Sequence, residues 1–111
     1  MKCIFALILA QLFTIKANSQ KQVEDGRKIF ARNCTNCHVE SKPDVVPLNS
    51  RAIKHTNAWF SKWISNLMKL IAEKDKEAVS VYNEYNKVPH PAFMFKKQEM
   101  ESLIVYWKTQ K

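Results

Sequence analysis

The chain has 111 residues, a formal net charge of +8, 46% hydrophobic residues, one glycine and four prolines. This length corresponds to one small domain. One glycine is too few for the many turns of an all-β sandwich or barrel, and it excludes a glycine-rich phosphate loop. The positive charge comes without a nucleic-acid-binding motif, so we expect no nucleic-acid partner.

Residues 1–19 carry the features of a secretory signal peptide. A positive charge at Lys2 precedes an apolar run over residues 3–15, and small residues stand three and one positions before Gln20. This order of charge, short apolar run and small-residue cleavage site is typical of such leaders. An uncleaved membrane anchor is the alternative, but the apolar run is short for a bilayer span. We therefore expect a signal peptide over 1–19, a mature domain over 20–111 and a periplasmic location.

The 92 residues that follow this leader predict α-helices and no β-strand. Apolar residues recur with the helical period over 23–33, 57–71 and 97–109, and a short helix follows Asp75. Asn57 and Asp75 are residue types that cap helix N-termini. The residues expected to be buried are Phe60, Trp63, Ile64, Leu67, Met68 and Ile71 in the second helix and Met100, Leu103, Ile104 and Trp107 in the last. We therefore expect an all-α domain of about four helices, and chains this short often need a disulfide, a metal or a cofactor for stability.

The most specific motif is Cys34-Thr35-Asn36-Cys37-His38, which has the Cys-x-x-Cys-His spacing of c-type haem attachment. Two thiols at this spacing reach the two vinyl groups along one porphyrin edge, and the adjacent histidine binds the iron. We expect one haem c per chain, attached at Cys34 and Cys37, with His38 as the proximal iron ligand. The leader agrees with this prediction, because c-type haem is attached outside the cytoplasm.

The same motif has other interpretations. Cys34 and Cys37 would form a redox-active disulfide in a thioredoxin-like domain, but that fold needs a βαβ pattern that the sequence lacks. A zinc site would use both cysteines, His38 and a fourth ligand such as His55 or His90. Structural zinc sites usually show a second clear ligand pair, which is missing here. A chance match is the remaining alternative.

Several short segments, in this order, make the chain resemble the small monohaem cytochromes c of class I over almost all of the mature domain. The matching segments are residues 26–30 with the haem motif (opening helix), 46–48 (a Gly-Pro-x-Leu loop with valine in place of glycine), 57–64 (middle helix), 82–87 and 91–93 (distal-ligand segment) and 100–107 (closing helix). The resemblance implies a cytochrome c fold around one haem. It also implies that Gly26 lets Tyr106 or Trp107 approach the first helix closely.

The resemblance also implies which side chains hold the haem. In the family a proline carbonyl accepts a hydrogen bond from Nδ1–H of the proximal histidine, and Pro47 matches that proline. Such a bond orients the ring and raises its basicity. The aromatic residues expected to wall the haem pocket are Trp59, Trp63, Phe93 and Phe95.

The distal iron ligand is open between His90 and Met94. In the family a methionine precedes Pro-Ala-Phe, and here His90 occupies that position. The distance in sequence from the apolar stripe over residues 100–106 back to His90 agrees within one residue with that of the family's ligand. Ligation by Met94 would leave only two residues between the ligand and the last helix, which is short for a chain that must cross the haem face. The sequence favours His90, which would lower the reduction potential relative to methionine ligation. Ligation by Met94 and a five-coordinate iron are the alternatives, and His55 is expected to face solvent or cap a helix.

These features predict an extracytoplasmic one-electron carrier rather than an enzyme. A haem-based sensor of small ligands and a haem c subunit of a larger respiratory complex are the alternative functions. The expected partners are redox proteins, including a membrane respiratory complex. Lys96 and Lys97 stand beside the predicted ligand segment, where a basic surface would attract an acidic docking face.

Overall fold

Four α-helices make up the part of the chain that the computed structural model describes, residues 2–38 and 55–109. They are α1 (Lys2–Asn33), α2 (Asn57–Ala72), α3 (Lys76–Glu84) and α4 (Lys97–Thr109). No strand occurs within these residues, and the predicted all-α class is confirmed. In the same ranges, none of the helices combines the length and the apolar character that a membrane span requires.

The first and last helices pack against each other at Gly26. A Cβ built on Gly26 would lie 2.6 Å from the carbonyl carbon of Ser102 and 2.7 Å from Cβ of Tyr106, both in α4. One turn later the buried ring of Phe30 lies 5.6 Å from the ring of Tyr106. The expected close approach of Tyr106 to Gly26 is therefore present. The second residue of α4 in close contact with Gly26 is Ser102, through its backbone, and not Trp107.

The core lies where α2 and α3 meet this helix pair. Its buried apolar side chains are Phe30, Phe60, Trp63, Ile64, Leu67, Leu70, Ala78, Val81, Met100, Leu103, Ile104 and Trp107. The predicted stripe of α4 is buried at all four positions. The α4 helix also begins where predicted, because the Glu99 carboxylate accepts the backbone N–H of Lys96 at 2.9 Å, as in a capping box.

The second helix differs from the prediction at its start and in its middle. Its N-cap is Thr56, whose hydroxyl accepts the N–H of Trp59 at 3.2 Å, and not Asn57. Asn66 has φ −165° and ψ 83°, which interrupts the helix. After this break Leu70 is buried, whereas Met68 is 48% exposed. The expected burial of Met68 is wrong because the period restarts at the break.

A tight corner joins α2 to α3. Lys74, at φ 58°, follows the end of α2, and its N–H and that of Asp75 donate to the carbonyls of Ile71 and Leu70, both at 3.0 Å. This is a Schellman ending. Asp75 then caps α3, as predicted, by accepting the N–H of Ala78 at 2.9 Å.

The N-terminal half of α1 has apolar side chains on its surface. Its large exposed hydrophobic residues are Ile4, Phe5, Leu7, Ile8, Leu9, Leu12, Phe13 and Ile15. The buried contacts of α1 with α4 begin further along the helix, at Gly26 and Phe30.

Candidate functional site

The end of α1 presents the cysteine–histidine motif as a compact turn. The N–H groups of Cys37 and His38 both donate to the carbonyl of Cys34, at 3.2 and 2.8 Å, and the N–H of Cys34 itself continues the helical pattern to Phe30. The hydroxyl of Thr35 donates to Ala31 at 2.7 Å. Hydrogen bonding within this turn therefore fixes the backbone that carries the two thiols and the imidazole relative to α1.

A cavity of about 1080 Å³, its open mouth included, lies beside this turn. Each structural element contributes side chains to its wall: Asn33, Cys34, Cys37 and His38 from the α1 turn; His55 before α2; Trp59, Phe60, Trp63 and Leu67 from α2; Glu77, Val81, Tyr82 and Tyr85 from α3; Val88, Pro89, His90, Pro91 and Phe93 from the loop before α4; and Trp107 from α4. Most of these side chains are apolar or aromatic. Such a lining suits a large, flat apolar ligand.

Two histidines of the cavity lining lie close together, with their rings tilted by 47° to each other. The ring centres of His38 and His90 are 6.3 Å apart. The ring of His38 lies between α1 and α4, with its centre 6.3 Å from Phe30 and 6.1 Å from Trp107. A metal–nitrogen bond of about 2 Å, and roughly 1 Å from each nitrogen to its ring centre, give about 6 Å between two imidazoles that share one metal.

The loop backbone sets the proton position on His90. Its Nδ1 donates to the carbonyl of Pro91 at 2.8 Å, which leaves Nε2 with the lone pair. Burial lowers the pKa of His90, and the hydrogen bond to Pro91 partly opposes this effect. A neutral ring with a free Nε2 lone pair is the form in which histidine binds metals.

The other proposed distal ligand points away from the cavity. Met94 is 90% exposed and is not part of the lining. Phe95, which we expected in the pocket wall, instead stacks on Phe93 with 5.4 Å between the ring centres and stands behind it. Phe93 itself lines the cavity and lies edge-on to His90, 6.0 Å away.

A polar cluster lies at the cavity rim between α2 and α3. The ring of His55 stacks on Trp59 at 3.9 Å, and its Nε2 is 3.8 Å from a carboxylate oxygen of Glu77. Trp59 donates its Nε1–H to Asp75 at 3.2 Å. His55 is therefore half-buried against an aromatic ring, and the expectation that it faces solvent or caps a helix is wrong.

The Cys34 thiol lacks the lowered pKa that is typical of a redox-active Cys-x-x-Cys motif. Burial, and to a smaller extent the neighbouring Cys37, raises the pKa of the Cys34 thiol to about 11. Redox-active Cys-x-x-Cys thiols instead have a pKa well below that of free cysteine.

In the part of the chain that the structure describes, no group of three or more His, Cys, Asp or Glu side chains is arranged to hold a metal ion.

The family comparison agrees with this geometry. The model of the Cytochrome c family matches residues 23–111. The chain belongs to the cytochrome c family. Members of this family carry covalently attached haem c and transfer electrons, typically without acting as enzymes. No curated protein and no solved structure matches the chain.

The residues of this cytochrome c fit haem c. The cavity holds two thiols and an imidazole on one wall and a second imidazole at the distance that one shared iron requires. Aromatic side chains from α2, from the loop before α4 and from α4 form much of the rest of its wall. Cys34, Cys37, His38, His90, Trp59, Trp63 and Phe93 thus share one cavity, whereas Pro47 lies outside the described residues.

Sequence reasoning missed part of the cavity wall. Tyr82 and Tyr85 were not among the residues expected to wall the pocket, yet both line the cavity. Their spacing of three residues, at the end of α3 and at its C-cap, was the available signal, because residues three apart share a helix face. Trp107 was expected in the core, and it also lines the cavity beside His38.

Proposed function

We propose that this cytochrome c is an extracytoplasmic one-electron carrier in which His38 and His90 would both bind the haem iron. The observation that carries the proposal is the cavity that Cys34, Cys37, His38 and His90 share, with the two imidazole centres 6.3 Å apart. When bound, haem c supplies an iron that alternates between the ferrous and ferric states.

The chain's own residues hold the haem and restrict access to it. Cys34 and Cys37 would hold a bound haem permanently through thioether bonds. The rings of Phe30 and Trp107 lie 6.3 and 6.1 Å from that of His38 and limit its rotation. The aromatic residues of the cavity wall would restrict water access to the haem, and a second imidazole in place of methionine would lower its reduction potential.

The geometry favours His90 over Met94 as the distal ligand. His90 lines the cavity with its Nε2 lone pair available, whereas Met94 is 90% exposed. Ligation by Met94 would require the loop to turn this side chain inward, which would displace Phe93 from its contact with the cavity.

Export of the mature domain is part of the same proposal. Cytochrome c domains are usually extracytoplasmic, and residues 1–19 have the pattern of a cleaved leader. The exposed apolar side chains between Ile4 and Ile15 support this assignment, because they contribute nothing to the buried core. Cleavage before Gln20 would leave α1 with both of its buried contacts, Gly26 and Phe30.

The loop before α4 offers a surface for a redox partner. We define the loop patch as the exposed apolar residues Val88, Pro89, Pro91, Ala92 and Met94. These residues stand on both sides of His90 along the chain, and exposed lysines flank the segment: Lys87 before it and Lys96 and Lys97 after it. An apolar centre with a basic rim suits a partner whose docking face is acidic.

One preparation tests the carrier proposal. The full chain is expressed with export and haem-maturation machinery, and its intact mass and its oxidised and reduced visible spectra are recorded. We expect the mass of residues 20–111 plus one haem and a low-spin spectrum in both states. We also expect no methionine-to-iron charge-transfer band in the oxidised protein.

Two matched alanine variants identify the distal ligand. His90→Ala should give a high-spin ferrous protein that binds carbon monoxide rapidly, and Met94→Ala should keep the wild-type spectrum. The reverse pattern would show that Met94 is the ligand. Rapid carbon monoxide binding by the wild type would instead favour a sensor with an open site, and a protein without haem would refute the proposal.

A further inference from the structure

The break in α2 divides this helix into two separately capped pieces. Asn66 has an extended backbone, and its side-chain Oδ1 accepts the N–H of Lys69 at 3.1 Å. An asparagine that accepts from the third residue after it is in the position of an N-cap. Asn66 therefore starts a new helical segment over residues 67–72 inside α2. Leu67, the first residue of this segment, is buried and lines the cavity.

The break coincides with a tertiary hydrogen bond to the loop before α4. The backbone N–H of Phe93 donates to the carbonyl of Ile64 at 3.0 Å. In an uninterrupted α-helix this carbonyl is occupied by the N–H four residues later, at Met68. Asn66 lies between Ile64 and Met68. Its extended backbone therefore breaks the helical turn that a bond from the Met68 N–H to the Ile64 carbonyl would close. The interruption thus lets a helix carbonyl accept a donor from outside the helix.

The same bond fixes the loop close to His90. Phe93 is three residues after His90, lines the cavity, and lies edge-on to the imidazole with 6.0 Å between the ring centres. The loop has no regular secondary structure from Val88 to Lys96. Among the loop backbone bonds in the described part of the chain, the Phe93–Ile64 bond is the one that ties residues 89–95 to a helix.

We infer that Asn66 is a positioning residue for the distal-ligand loop: by interrupting α2 it presents the Ile64 carbonyl, which holds Phe93 and thereby keeps His90 at the cavity. This inference rests on the proposed function insofar as it treats His90 as the iron ligand. The hydrogen-bond part of it stands independently of haem coordination.

Amide hydrogen exchange of the wild-type holoprotein tests the hydrogen-bond part without any variant. The Phe93 amide should be protected and should exchange together with the Lys69 amide, because one opening of the break exposes both. The amides of Ala92 and Met94, which have exposed side chains, should exchange faster. A Phe93 amide that exchanges as fast as those of its two neighbours would overturn the inference.

Asn66→Ala removes the cap and favours a continuous helix. We expect Phe93 exchange to accelerate about 3- to 10-fold, the range for loss of one hydrogen bond. We also expect faster carbon monoxide binding to the ferrous protein, because His90 leaves the iron more often. Asn66→Asp keeps an oxygen acceptor at the same place and should behave as the wild type.

Thr56→Ala is the matched control, because it removes the other N-cap of α2 and lies far along the helix from Ile64. It should lower overall stability by an amount similar to that of Asn66→Ala and leave Phe93 exchange and carbon monoxide binding unchanged. Equal effects of the two variants would show that Asn66 is only a structural cap. If His90→Ala leaves carbon monoxide binding unchanged, the ligand proposal fails, and Phe93 exchange still decides the role of Asn66.

Discussion

At the scale of single residues, the contact at Gly26 reverses the usual effect of an alanine in a helix. Replacing glycine by alanine inside a helix normally stabilises a protein by about 1 kcal/mol. At Gly26 the new methyl group would lie 2.6 Å from the Ser102 carbonyl carbon and 2.7 Å from Cβ of Tyr106. The nearest atoms belong to the α4 backbone, which cannot rotate away as a flexible side chain can.

Gly26→Ala should therefore destabilise the holoprotein by about 1–3 kcal/mol, the range for overpacking. The free energy of unfolding by urea, followed by tryptophan fluorescence, measures the change. Lys28→Ala, at an exposed position of the same helix, should change stability by less than about 0.5 kcal/mol. A Gly26→Ala protein that is as stable as the wild type would show that α1 and α4 can separate without cost.

The residues that carry the chemistry were predictable to different degrees. The haem attachment motif depends on a spacing of a few residues, so the sequence contains it completely. The placement of His90 beside the haem attachment motif was predictable from the neighbouring Pro-Ala-Phe segment, and His90 does line the cavity. The role of His55 was not, because its stacking on Trp59 depends on how the chain enters α2, and a lone histidine in a sequence carries no such information.

At the scale of elements, the sequence predicted helix boundaries correctly where a local cap sets them. The prediction of buried positions failed where a backbone break interrupts the helical period. The α4 limits, Lys97–Thr109, and the Asp75 cap of α3 are as predicted. The period in α2 predicted the buried residues up to Leu67 and then failed at Met68, because Asn66 resets the register. An asparagine within an otherwise apolar helical pattern was the available signal of that break.

The corner between α2 and α3 depends on the charge of one carboxylate. Asp75 accepts the backbone N–H of Ala78 and Nε1–H of Trp59, at 2.9 and 3.2 Å. The bond from Ala78 is the largest influence on the pKa of Asp75; together with the bond from Trp59 and the nearby His55 it outweighs the opposing effect of burial and lowers this pKa below its ordinary value. The folded-state pKa is thus below the unfolded one, so Asp75 contributes stability above about pH 4. This contribution is lost as the pH falls through the folded-state value.

Asp75→Asn should accordingly be less stable than the wild type at neutral pH, by about 0.3–1 kcal/mol, the value of a charge at a helix N-terminus. The difference should shrink as the pH falls below about 4, because the wild type loses its charge and the variant has none to lose. Urea unfolding of both proteins across this range measures it. A difference that stays constant down to the lowest pH would mean that the Asp75 charge plays no part.

At the scale of the whole molecule, a packed apolar core stands beside a cavity, and Phe60, Trp63, Leu67, Val81 and Trp107 belong to both. All four helices and the loop before α4 contribute to the cavity wall. The all-α class was predictable from periodicity and the scarcity of glycine. The contribution of the α3 region to the cavity wall was not predictable from the sequence. Tyr82 and Tyr85 line the cavity because the corner at Asp75 folds α3 against α2. Contacts of this kind depend on tertiary packing, which a single sequence does not record.

Charge and shape at this scale predict how the haem edge meets its partners. The lysines that flank the loop patch are exposed, and the chain carries a formal net charge of +8. A positive potential around the loop patch should attract anionic oxidants and repel cationic ones. Ferricyanide and hexaammineruthenium(III) are suitable probes, because they differ in the sign of their charge and need no specific docking site.

Lys96→Glu should slow oxidation of the ferrous protein by ferricyanide about 2- to 5-fold at an ionic strength near 10 mM, where the Debye length is about 30 Å. The same substitution should speed oxidation by hexaammineruthenium(III). Both effects should nearly disappear at about 1 M salt, where screening acts over about 3 Å. Lys28→Glu makes the same change in net charge at an exposed position of α1 outside the cavity lining, and its effect should be smaller. Equal effects of the two variants would mean that overall charge, rather than the loop patch, steers the oxidant, and a partner would then have no electrostatic reason to dock beside His90.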